Sequence, residues 1–77
     1  MDREQERQHL KQANADIADA HDRVKHQRAL IARMSARGQD TELAEVLLAT
    51  LRSTLAAMEN HRRIILDRLQ SIGVGKG

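Results

Sequence analysis

The 77-residue chain contains no cysteine, no proline and no aromatic side chain. Without cysteine there are no disulfide staples and no thiolate metal ligands. Without Phe, Tyr or Trp the core has to be built from Leu, Ile, Val, Met and Ala, and neither base stacking nor an aromatic anchor at a membrane interface is available. Without proline nothing interrupts a helix by removing a backbone donor. Glycine is scarce, and the first of the four is Gly38. No apolar run approaches the roughly 18 residues a membrane-spanning helix needs, and the polar opening "MDREQERQHLKQ" has no apolar stretch of the signal-peptide kind. A cytoplasmic protein is the expectation. Charge of one sign is also lacking: 13 Lys and Arg against 11 Asp and Glu leave +2, far from a polyelectrolyte.

What is present is periodicity. Leu10, Ala13, Ile17, Ala20, Val24, Gln27, Ile31 and Met34 advance by alternating threes and fours, which is the heptad period with one polar lapse at Gln27. A second row, Ala44, Leu48, Leu51, Leu55, Met58, Arg62, Ile65, Leu69 and Ile72, has the same spacing with its lapse at Arg62. Between them "RGQDT" reads as a turn. Gly38 suits the left-handed position after a helix C-terminus, and Asp40 or Thr41 can cap the next helix. The expected organisation is one all-α domain: a first helix over about 2–37, a turn at 38–40, a second helix over about 41–72 stopped by Gly73, and a flexible tail at 73–77.

Equal lengths and a short connection predict an antiparallel two-helix hairpin. Folding at the turn places Ile31 near Leu48, Val24 near Leu55, Ile17 near Arg62 and Leu10 near Leu69. Arg62 is then expected to pack its stem and reach a carboxylate, Asp16 or Asp19. Gln27 and Arg62 read as polar residues that set register within an apolar seam, and every Asp and Glu is expected off the seams. A chain this small buries only about 60% of the surface its unfolded form exposes, so association is the expected remedy. The second helix supplies a surface for it. Leu43, Leu47, Thr50, Thr54, Ala57 and Ile64 run beside its seam, with Leu30 and Leu66 adding to the stripe, which predicts a homodimer forming a four-helix bundle.

Candidate chemistry is sparse. His9, His21, His26 and His61 include no pair at the spacing of three or four that puts two ligands on one helix face, so no metal site is expected. No Ser or Thr is accompanied by His and Asp in a catalytic spacing, and two helices form no pocket by themselves, so no catalytic residue and no cofactor is expected. The terminal "GVGKG" lacks the spacing and the flanking strand and helix of a phosphate loop. The one charge asymmetry is Arg23, Lys25, Arg28, Arg33 and Arg37 with no acid among them. That cluster offers an alternative reading as a nucleic-acid contact, beside the plainer one of a solvated face near a helix C-terminus. A further alternative is that the hairpin completes a bundle with helices of another protein.

The pieces "RQHLKQANADIADA", "QRALI", "GQDTELAEVLLATL" and "HRRIILDRL" together resemble a group of short, uncharacterised helical-hairpin proteins of soil alphaproteobacteria, over roughly residues 7–69. Gly38, Asp40, Thr41, the Leu47–Leu48 pair, His61–Arg62 and Ile65–Leu66 carry the likeness. What the resemblance implies is a helical hairpin with no activity, no cofactor and no catalytic residue.

Overall fold

In the computed structural model two long helices, α1 (Arg3–Ala36) and α2 (Glu42–Val74), lie packed side by side as an antiparallel hairpin about a short turn. The structure describes residues 3–74, with side chains through residue 71. The expected start at Asp2, the side chain of Ile72 and residues 75–77 of the tail lie outside that description. The expected stop at Gly73 does not occur, since α2 continues through it to Val74. A glycine inside a helix costs about 1 kcal/mol relative to alanine, and that penalty alone does not end a helix when no capping geometry accompanies it.

At Gly38 that geometry is present. The residue has φ +73°, its amide donates to Ser35 O at 3.0 Å, and the next amide, from Gln39, reaches back to Met34 O at 2.9 Å. This pair of bonds ties off carbonyls that the last turn of α1 would leave unpaired. On the other side, Asp40 Oδ1 accepts from the Glu42 amide at 3.0 Å. The Thr41 carbonyl takes the first bond within α2, from the Glu45 amide at 2.9 Å. The Thr41 hydroxyl donates to Glu45 Oε2. Glu42 and Glu45 lie in the first turn, at the positive end of the helix dipole.

The seam matches the two three-four rows position by position. On α1, Ala13, Ile17, Ala20 and Val24 are buried, and Leu10, Gln27, Ile31 and Met34 are half-buried. On α2, Leu55 and Ile65 are buried, and Ala44, Leu48, Leu51, Met58, Arg62 and Leu69 are half-buried. The centre is one cluster of Ile17, Ala20, Val24 and Leu55 against Leu48, Leu51 and Met58. Val24 and Leu55 thus meet as the folded register requires. The hairpin is a rod of 61 × 15 × 14 Å.

The turn is testable at one position. A methyl group on Gly38 would find nothing within 4 Å, so the cost of a side chain there is conformational alone. Gly38→Ala is expected to lower stability by about 1–2 kcal/mol, and Gly38→Asn by less because Asn tolerates the left-handed region. Thermal unfolding followed by circular dichroism measures both, and equal Tm values for Ala and Gly would show that the turn does not require φ > 0.

Candidate interaction surfaces

Three polar residues occupy seam positions, and each reaches across to the opposite helix. Near the turn, Gln27 Nε2 donates to Ala44 O at 2.9 Å. Farther along, Arg62 Nη1 donates to Asn14 Oδ1 at 3.2 Å. At the open end, Arg68 Nη1 donates to Glu6 Oε1 at 3.4 Å. Arg62 therefore corrects the expectation of a carboxylate partner. Its stem is half-buried at the seam as expected, but its head meets an amide one turn from Ile17. Asp19 is held by Arg23 of its own helix at 3.1 Å, and Asp16 accepts from Gln12.

Glu6 overturns the expectation that every acid lies off the seams, being only 1% exposed. Its position continues the α1 row one step toward the N-terminus, four residues before Leu10. The spacing alone places it there, whatever its charge. Glu6 Oε2 accepts from His9 Nδ1 at 2.8 Å while Oε1 takes Arg68, so both carboxylate oxygens are used. The hydrogen bond from His9, then that from Arg68 with the attraction of both charges, holds its pKa below the usual carboxylate value, against burial acting the other way.

Beside the seam lies a continuous shallow groove between the helices. At one end it is lined by Ala13, Asp16, Ala57 and His61, in the middle by Asp19, Arg23, Leu51 and Thr54, and toward the turn by His26, Leu30, Arg33 and Leu47. Of the expected stripe, Leu47, Thr54 and Ala57 line this groove, and Leu43, Thr50 and Ile64 lie exposed on α2 beyond it. Leu43 is 83% exposed, Leu47 49% and Ile64 40%, with Thr50, Thr54 and Ala57 exposed between them. Val46, 59% exposed, belongs with it. The i, i+3, i+4, i+7 spacing of residues 43, 46, 47 and 50 carried that signal, and the sequence reading missed it. The Thr50 hydroxyl donates to Val46 O of its own helix, so it presents its methyl group outward with no unmet donor. Leu30 lines the groove as expected. Leu66 does not join the stripe: it and Ile64 flank Ile65, and two residues on a helix are about 200° apart.

The basic cluster is not one surface. Arg23 and Arg33 line the groove just described, whereas Lys25 and Arg28 line a hollow on the other side of α1 with His21, Asp22 and Val24. Arg37 is exposed at the turn. The helical period spreads residues 23, 25 and 28 around the axis, and Arg23 is already paired with Asp19. The histidines are similarly dispersed. His9 meets Glu6, and His21 lies 3.6 Å from Glu59. Among the described residues no group of three or more His, Asp or Glu could hold a metal ion. Nor, among those residues, is any helix long and apolar enough to cross a membrane.

Comparison with protein-family models, curated proteins and solved structures finds no match. The two-helix hairpin is what stands of the resemblance drawn from the sequence.

Two outcomes follow from the seam. For Gln27→Leu, the Ala44 carbonyl keeps its own helical hydrogen bond, so the substitution removes one bond of about 1 kcal/mol, leaves no acceptor bare and adds apolar contact. Its melting temperature is expected to equal or exceed that of the parent, with a less unique oligomer; a fall of several degrees would show that the cross-helix bond stabilises as well as specifies. For Glu6, a folded pKa below the unfolded value means a stabilising contribution present above the ordinary carboxylate range and lost as pH falls through the folded pKa. Glu6→Gln is therefore expected to be less stable than the parent at pH 7 and to show a smaller loss on acidification below pH 4.5. Parallel stability curves for the two proteins would remove Glu6 from that pH dependence.

Proposed function

We propose that the chain is a non-enzymatic structural or regulatory interaction module that pairs with itself through the apolar stripe of α2 to form a four-helix bundle. The observation that carries this reading is the set of Leu43, Val46, Leu47 and Ile64 on α2, large apolar side chains left at 40–83% exposure, with Leu47 on the bank of the groove. Scattered surface leucines need no explanation, but Leu43, Val46 and Leu47 group within about one turn, and the small residues Thr50, Thr54 and Ala57 carry the face on to Ile64, which is the form an interface takes.

Area supports a partner of this size. A compact monomer of 8.7 kDa has roughly 4,700 Å² of accessible surface. The hairpin has 5894 Å². The excess of about 1,200 Å² per chain is more than the roughly 800 Å² that each side of a standard interface buries. A second hairpin laid on the groove turns a two-helix seam into an enclosed four-helix core. The nucleic-acid alternative draws less support, because four of the five basic residues divide between two sides of α1, the fifth, Arg37, lies in the turn, and Arg23 is already ion-paired.

Sedimentation equilibrium at micromolar concentration is expected to give twice the mass of one chain. Leu43→Lys and Leu47→Lys together are expected to shift the mass to that of a single chain and to lower Tm by about 10 °C or more, since bundle stability is linked to association. A parent protein that sediments as one chain would overturn self-association, and poor helicity in the same sample would point instead to a hairpin that completes another protein's bundle.

A further inference from the structure

The face that carries the stripe is divided lengthwise. Its α2 half is apolar apart from His61, and its α1 half, beside Ala13 and Leu30, carries the charge, acidic at Asp16 and Asp19 and basic at Arg23 and Arg33. Two hairpins stacked on this face have two symmetric choices. If the two-fold axis runs along the hairpin, the turns lie at the same end and α2 of each copy covers α1 of the other, so leucines are laid on charged side chains twice over. If the axis runs across the hairpin, the turns lie at opposite ends, α2 covers α2 and α1 covers α1, both antiparallel. We infer that the partner of this face is a second copy in the latter, antiparallel arrangement; this rests on the self-association proposed above and specifies its geometry.

Charge and shape both select it. The stripe is centred near Thr54, midway between Leu43 and Ile64, and the contacts of Asn14 with Arg62 and His21 with Glu59 set that level against residues 22–26 of α1. Rotation about an axis there carries the acidic stretch of one α1 over the basic stretch of the other, with Asp16 of each copy within about a turn of Arg33 of its mate. The middle of the α2 stripe crosses its own copy where the side chains are small, at Thr50, Thr54 and Ala57, while Leu43 meets the neighbourhood of Ile64 at both ends. In the lengthwise arrangement none of this matching occurs, and apolar area is covered by groups that must be desolvated.

The absence of native cysteine makes the test clean. A spin label on Gln39→Cys, in the exposed turn, gives one distance per dimer. The antiparallel dimer places the two labels roughly 40 Å apart, from twice the helical rise between the turn and the axis, whereas the lengthwise arrangement places them within roughly 20 Å, set by helix spacing in a bundle. Charge exchange gives a second readout. Asp16→Arg and Arg33→Asp are each expected to weaken dimerisation about 3- to 10-fold, and the double variant to return to within about twofold of the parent. A dimeric mass with a short label distance, or a double variant no tighter than the singles, would overturn the antiparallel geometry and leave self-association standing. A single-chain mass would overturn both.

Discussion

A line of contact between two cylinders is the constraint on which this molecule depends. Two helices touch along one seam, each can turn only a narrow stripe away from water, and no residue is more than one layer from solvent. The whole core is then a single file of side chains, with Ile65 and Ile17 as its most enclosed apolar members. Its regularity has to be complete because nothing behind it can compensate. The small residues Ala13 and Ala20 let the helices approach, while Leu55 and Val24 fill the space between them. The same geometry leaves most of α2 without cover, although α2 is the more apolar of the two helices. The unpaired stripe is thus a consequence of the two-helix architecture as much as a separate feature.

A seam of interchangeable aliphatic residues does not by itself specify how far one helix slides along the other. Polar contacts between the helices add fixed points along it. Gln27 with Ala44, Asn14 with Arg62 and Glu6 with Arg68 tie the helices at three levels, from near the turn to the open end. A slip of one heptad would separate all three at once. Each such contact contributes on the order of 1 kcal/mol or less, so the aliphatic row supplies most of the stability of the seam. Glu6 is the extreme case, a carboxylate under cover that is acceptable because both of its oxygens have donors.

Much of this was legible before any coordinates. The two rows of three-four spacing named the seam residues on both helices, Gly38 marked the turn, and Asp40 and Thr41 marked the start of α2. The departures fall where helix geometry, rather than residue type or closeness in the chain, decides the neighbour. Glu6 has the spacing of the row, although acids as a class were expected off the seams. Arg62 was given a carboxylate partner because opposite charge is the simplest guess, whereas Asp19 lies within reach of its own helix neighbour Arg23. The five basic residues looked like a cluster because they are close in the chain, but a helix disperses close residues around its axis. Leu66 was placed with the stripe when its offset from Ile64 turns it the other way.

The sequence by itself determined which residues face inward and where the chain reverses, because helical periodicity and the φ preference of glycine are local properties that each segment carries with it. Only the tertiary structure decided what the inward and flanking groups meet: a buried Glu6 between His9 and Arg68, an amide rather than a carboxylate for Arg62, and a groove with one apolar and one charged bank. Those outcomes depend on the position of one helix relative to the other, to within the length of a side chain. Spacing along either helix constrains that position only to about a turn, so the polar contacts were settled when the two faces were brought together.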